Sequence, residues 1–271
     1  MERWLDPTSG HLALALLVVA VTILVNVRSA LRGRRPHLRR LPAVDAIEEV
    51  IGRATELGRP VFYIAGTRDL DDVQTVASLT ILGTAGEAMA RHECELRMPT
   101  NRSLVMAAAR QVLRESYTAA GRPDAYHDGL VSYVSDDQFG FAARVDGLMA
   151  RERPAACLLL GSFFAESLLL AEAGNRAGAV QVAGTAEAHQ LPFLVAACDH
   201  VLIGEEFFAA SAYLSQDPVH QGCLRGQDLV KYGVLALLGG GALLAVLAGL
   251  TGWEIPTALF EKLLSLWWGG E

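Results

Sequence analysis

Hydroxyl, arginine and carboxylate side chains follow several apolar segments of this 271-residue chain, directly where those segments end. Residues 61–67 read VFYIAGT, residues 158–163 read LLLGSF and residues 180–185 read VQVAGT. Glycine permits a tight turn, and the hydroxyl residue after it can cap a following helix. Free N–H groups at helix starts also attract anions. The candidate ligand-binding residues at these junctions are Thr67, Arg68, Thr100, Asn101, Arg102, Ser162, Glu166, Thr185 and Glu205.

Two kinds of chemistry are open at these positions. The hydroxyls and arginines could hold a phosphate or carboxylate, although no phosphate loop or GxGxxG motif supports a nucleotide. Glu166 and Glu205 are flanked by apolar residues, where an unpaired charge is costly, so they could hold Mg²⁺ or act as catalytic carboxylates. Equally, each acid could lie in the first turn of a helix only because the helix dipole stabilises a negative charge there.

Recognisable catalytic and metal-binding motifs are missing from the sequence. No GxSxG elbow occurs, and His189 and His200 lack a metal-ligand spacing. The four cysteines form no CxxC pair, which favours buried reduced thiols over a redox or metal site. We therefore assign no catalytic residue, no metal ligand and no cofactor, and we favour a non-enzymatic protein.

The elements that must position these residues alternate between strand-like and helix-like segments. An amphipathic helix at 43–59 precedes six strands, each followed by a helix. The strands are expected at 61–65, 95–99, 130–135, 155–160, 179–183 and 200–203, and their helices at 69–92, 101–120, 138–151, 166–175, 191–197 and 205–214. This alternation predicts an open, doubly wound, mostly parallel and Rossmann-like sheet. The candidate residues would then share the carboxyl edge of the sheet, where such folds bind ligands.

Two uncharged apolar segments flank this α/β region, at residues 12–27 and 233–253. Both have the length and composition of membrane spans. The first resembles an anchor more than a cleaved signal, because arginines follow it. Gly239–Gly241 forms a small-residue patch where another helix could approach. We predict an N-terminus and first span over 1–27, a basic linker over 28–42, the α/β domain over 43–231, the second span over 232–253 and an amphipathic tail over 254–271.

Charge distribution predicts the orientation and limits the partners. The net charge of −7, without a basic stripe, excludes nucleic acid as an expected partner. Six arginines lie between residues 28 and 40, and Arg28, Arg32, Arg34 and Arg35 are the candidates for contact with the membrane surface. The positive-inside rule then predicts a two-pass protein with a cytoplasmic main domain and both termini outside.

Long phrases over residues 41–229 resemble a family of bacterial and archaeal membrane-anchored proteins. They include LPAVDAIEEVIGRATELGRPVFYIAGTRDLDDVQTVASLTILG, PTNRSLVMAAAR, SDDQFGF, GSFFAESLLLAEAGN and QVAGTAEAHQLPFLVAACDHVLIGEEFFAASAYLS. That family is defined only as a domain of unknown function. The resemblance implies an anchored α/β domain in a prokaryotic inner membrane, and it implies no activity.

Three functions remain as hypotheses. The first is a scaffold that forms homo-oligomers or joins other subunits of a membrane complex. The second is a sensing module that binds a small anion at the carboxyl edge of the sheet, and the third is a metal-assisted hydrolase using Glu166 or Glu205.

Overall fold

A computed structural model describes residues 10–33 and 42–251 of the chain. The described residues form two compact units, one of residues 42–216 and one of residues 10–33 with 217–251. The predicted tail at 254–271, together with Arg34 and Arg35, lies outside the described residues.

The α/β unit contains the alternation that the sequence predicts. Its helices are α2 Pro42–Leu57, α3 Val73–Arg91, α4 Ser103–Ala119, α5 Gln138–Glu152, α6 Glu166–Ala177, α7 Leu191–Ala197 and α8 Glu205–Ser215. Its strands are β1 Val61–Ile64, β2 Leu96–Thr100, β3 Val131–Tyr133, β4 Ala156–Leu160, β5 Val180–Thr185 and β6 His200–Ile203. Two short 3₁₀ turns, Pro123–Ala125 and Asp128–Leu130, precede β3.

The six strands form one parallel sheet in the order β3-β2-β1-β4-β5-β6. This confirms the expected doubly wound α/β fold. The order reverses between β1 and β4, which are direct neighbours with Tyr63 opposite Leu158. Helices leave in opposite directions at such a switch point, so the crevice at its carboxyl end is the usual place for a ligand.

Two apolar layers cover the sheet. One face packs against α2, α3, α4 and α8, and the other against α5, α6 and α7. The central strands are therefore buried on both faces, as their continuous apolar runs predict. On the first face, the buried Tyr63 hydroxyl donates a 2.6 Å hydrogen bond to the carbonyl of Ser78, which ties β1 to α3.

Helix α3 departs from the sequence prediction in its start and its buried face. It begins at Val73 rather than residue 69, because Asp72 caps it by accepting a hydrogen bond from the Gln74 N–H. The helical spacing of Val73 and Val76 with Leu79 and Leu82 predicts that all four residues face the core, but Val73 and Val76 are 71% and 49% exposed. Thr75, Ala77 and Ser78 are buried near them in the first turns, whereas Leu79, Leu82 and Met89 farther along α3 are buried as their spacing predicts.

The second unit pairs α1 (Gly10–Leu31) with α9 (Pro218–Thr251). Both helices are long and apolar enough to cross a membrane. They pack closely at Gly222 and Gly226, where an added Cβ would lie 2.6 Å from Val27 Cα and 2.8 Å from Ile23 Cα. Gly239–Gly241, where the sequence suggested a close approach, has no described atom within 4 Å of its Cβ positions. The contact instead uses a Gly-xxx-Gly pair in the part of α9 before the uncharged segment.

Candidate functional site

The switch point is closed by direct contact between two backbone turns. Gly66 follows β1 with a φ of +81°, and Gly161 follows β4 with a φ of +146°. A Cβ on Gly66 would lie 2.5 Å from the Ser162 carbonyl oxygen, and one on Gly161 would lie 2.5 Å from that of Ala65. The Thr67 N–H also donates to the Ser162 carbonyl at 2.9 Å. Both glycines are therefore required by close packing where related architectures hold a ligand.

Glu166 fills the space beside this closed turn. Its side chain is fully buried at the first residue of α6. One carboxylate oxygen accepts hydrogen bonds from the Thr67 hydroxyl at 2.7 Å and from the Phe164 N–H at 3.1 Å. The other accepts from the Gln138 side-chain amide. The carboxylate thus occupies a small anion site built from the chain's own donors.

The carboxyl end of β2 adds a second group of polar residues. Asn101, only 2% exposed, donates through Nδ2 to the Thr67 carbonyl at 3.2 Å, and Arg102 Nε donates to the same oxygen at 3.1 Å. The Thr100 hydroxyl accepts from the Arg102 N–H at 3.3 Å. Helix α4 begins after Arg102 with no side-chain cap bond, so its first N–H groups point out with an arginine beside them.

Two neighbours of this group are exposed. The Arg68 guanidinium lies 4.7 Å from the ring centroid of Phe164, a cation–π contact. Tyr133 ends β3 at 43% exposure, and a hydrogen bond with Asp136 raises the pKa of its hydroxyl.

A second network lies on the β5 side. The Ser162 hydroxyl and the Gln74 amide both donate to Glu187 Oε1 at 3.2 Å. The carbonyl end of Gln74 accepts from the Thr185 hydroxyl at 3.3 Å and from the Ala186 N–H at 2.7 Å. Ser162 and Thr185 are fully buried, so they hold loops together and present no hydroxyl to solvent.

The candidate residues fall into two hydrogen-bonded groups, one around Thr67 and Glu166 and one around Ser162 and Thr185. Three of their partners were not among the candidates: Gln74, Gln138 and Glu187. Each lies within a few residues of a strand-to-helix junction. Their position near a junction is the only sign of this role in the sequence, because no motif marks a glutamine or glutamate whose side chain hydrogen-bonds a distant turn.

Glu205 does not join this site. It starts α8, which packs on the opposite face from α6, and β5 separates the strands that precede the two helices. Within residues 10–33 and 42–251, no three His, Cys, Asp or Glu side chains group as metal ligands. The two acids therefore cannot act in one site, and a metal-assisted hydrolase using Glu166 or Glu205 alone stays a prediction.

Apolar side chains are exposed around the same edge of the sheet. Phe139, Leu168, Leu169 and Phe193 lie in the first turns of the neighbouring helices α5, α6 and α7 and are 43–56% exposed. We call these four residues the apolar rim. Val73 and Leu104 are similarly exposed in the first turns of α3 and α4 on the other face.

Comparisons with known proteins give a family and no function. No curated protein and no solved structure matches the chain. The model of a family described as a domain of unknown function, DUF6754, matches residues 1–255. Since this match spans nearly the whole sequence, the chain belongs to the DUF6754 family.

Proposed function

We propose that the protein is a membrane-anchored, non-enzymatic scaffold whose α/β unit associates with a second copy of the chain. The apolar rim is the observation that carries this proposal. First helical turns normally expose polar residues, whereas three adjacent helices here expose four large apolar side chains in their first turns. Exposed apolar side chains of this kind suit an isologous contact, in which the same surface meets itself across a twofold axis.

The closed switch point also favours a scaffold over an enzyme. The donors that would receive a substrate's anionic group are already bonded to Glu166. A second anion at this point would lie against a buried carboxylate, which opposes its binding. The polar groups at the switch point therefore stabilise the fold.

The proposal places α1 and α9 across a prokaryotic inner membrane, with the α/β unit in the cytoplasm and both termini outside. Its support is the length and apolar character of both helices and the arginines after the first. Arg28 and Arg32 are exposed at the end of α1, where anionic lipid head groups could meet them. The four cysteines are free, which suits a reducing compartment.

Mass measurement of the full chain in lipid nanodiscs or mild detergent tests the scaffold. We expect a dimer or higher oligomer that the double variant Phe139→Ser/Leu169→Ser converts to a monomer. Val73→Ser, an exposed valine on the other face, is the matched control and should leave the mass unchanged. A native monomer at micromolar concentration, or an unchanged mass in the double variant, contradicts the proposal.

A second function has its own supporting observation: the start of α4 is suited to a small anion. The helix has no side-chain cap, and Arg68 and Arg102 lie around the Thr67 turn next to it. Inorganic phosphate should then raise the melting temperature of the native protein, and Arg68→Gln should reduce that shift. Arg151→Gln, an exposed arginine at the far end of α5, should retain it. Equal shifts in the two variants would argue for general salt stabilisation.

A further inference from the structure

A cavity lies at the opposite edge of the sheet from the switch point. Its volume is about 570 Å³, and it lies between α2 and the C-terminal ends of α3 and α8. We call it the amino-edge groove, and its lining includes Glu48, Ile51, Glu87, Arg91, Leu214 and Gln216. Small-molecule sites commonly measure about 300–1,000 Å³, so the groove is large enough for a small organic ligand.

The charges around the groove favour a cation. Glu48 on α2 and Glu87 on α3 place carboxylates on two of its walls. Helix α8 also ends at the groove, and a helix C-terminus carries a partial negative charge, whereas the C-terminus of α3 already has Arg91 in its last turn. No basic residue lies in the last turn of α8 to neutralise that end. Among the described residues that line it, Arg91 and His92 carry the cationic or ionisable nitrogen groups.

The apolar part of the groove's lining distinguishes an organic cation from a metal ion. Ile51, Ala88 and Leu214 supply apolar contacts, which hydrated Mg²⁺ or Ca²⁺ does not use. The groove also lacks three grouped metal ligands, as does the rest of the described chain. A molecule with a charged head and a short apolar body matches this combination of carboxylate and aliphatic side chains in one lining.

We propose that the amino-edge groove binds a small organic amine of the polyamine class. Its ammonium groups lie near Glu48 and Glu87, and its methylene chain lies over Ile51 and Leu214. Arg91 is an internal competitor, because its guanidinium forms an ion pair with Glu87 across one turn of α3. This pair is partly exposed, so a ligand amine can replace it at little cost. The proposal is independent of the scaffold function, since the apolar rim lies at the other edge.

Calorimetric titration of the full-length protein in detergent with spermidine tests this site at low ionic strength. We expect saturable binding that weakens about threefold to fivefold in Glu48→Gln, the effect of one partly exposed ion pair. Glu49→Gln, an exposed neighbour on α2 outside the groove, should bind like the native protein. Arg91→Gln should bind more tightly, because it frees the Glu87 carboxylate from its internal partner.

Each other outcome counts against the site. Non-saturable binding, or equal weakening in Glu48→Gln and Glu49→Gln, would indicate a diffuse interaction of an acidic protein with a polycation. Weaker binding in Arg91→Gln would show that Arg91 supports the ligand rather than competing with it. Butane-1,4-diol, which lacks the charges, should not bind, and binding equal to that of spermidine would exclude the electrostatic basis.

Discussion

The Thr67 hydroxyl donates a 2.7 Å hydrogen bond to the Glu166 carboxylate, although 99 residues separate the two in sequence. This bond joins the turn after β1 to the first residue of α6, across the point where the strand order reverses. The same carboxylate receives the Gln138 amide from α5, so one buried acid connects three junctions. Hydrogen bonds to one buried carboxylate therefore hold the loops of the switch point together.

Replacing Glu166 by glutamine should destabilise the α/β unit by about 2–4 kcal/mol, because an amide group would face existing donors and leave one unpaired. Thr67→Val removes one hydrogen bond to a charged group and should cost about 1.5–3 kcal/mol. Chemical denaturation measures both free energies of unfolding.

The double variant Thr67→Val/Glu166→Gln distinguishes a specific contact from general disruption. We expect it to lose less than the sum of the two single changes, since both weaken the contact between the same two side chains. Strict additivity would show that the two side chains act independently.

Gly66→Ala should be far more destabilising than Gly58→Ala. Both glycines have positive φ, +81° and +61°, so both variants incur a left-handed backbone cost of about 1–2 kcal/mol. Only the Cβ at residue 66 meets another backbone, 2.5 Å from the Ser162 oxygen, whereas the one at residue 58 meets open space. Thermal unfolding of the two variants compares them directly, and similar melting temperatures would show that the switch point can open.

The fold could be predicted from local pattern because each element carries its own signal. All six strands were expected within a few residues of their observed bounds, since each is a short apolar run between turn residues. The spacing of apolar residues gave a wrong buried face for the first turns of α3, because Val73 and Val76 are exposed. Apolar residues at an edge satisfy the helical period as well as core residues do, so periodicity cannot separate them.

For the candidate site, the sequence predicts only that its residues lie at the carboxyl edge of the sheet. Its internal pairing depends on β1 and β4 being neighbours, which is set by the crossover between the two sheet faces and not by local sequence. Gln74 and Gln138 bond groups on other elements, and nothing in their own segments reveals those partners. Glu166 stands out in the sequence because apolar residues flank it and burial of a charge is costly. Three hydrogen-bond donors offset that cost in the structure.

Stability should fall above pH 9 because buried thiols oppose ionisation. Burial raises the pKa of Cys94 from 9.0 to about 11 and that of Cys198 to about 12. The folded state therefore retains the thiol proton where the unfolded state has lost it. This stabilising contribution is complete below pH 9 and is lost as the pH rises through the folded values.

Denaturation at several pH values between 8 and 11 measures this slope. Cys94→Ala and Cys94→Ser remove one titrating group and should both give a shallower decline than the native protein, whatever their stability at pH 8. An unchanged slope in both variants would place the alkaline sensitivity elsewhere.

Gly226→Leu should separate α1 from α9 and leave the α/β unit folded. The Cβ at this position would lie 2.8 Å from Ile23 Cα, so the helices must move apart, at a cost of about 1–3 kcal/mol for an overpacked contact. Gly233→Leu is the matched control, because it adds the same side chain to α9 where no described atom lies within 4 Å.

Energy transfer between labels on the two helices, followed during SDS titration, measures their separation. We expect Gly226→Leu to separate at a lower SDS fraction than both Gly233→Leu and the native protein. Equal midpoints would contradict the close packing, whereas a low midpoint in Gly233→Leu alone would place the essential contact farther along α9.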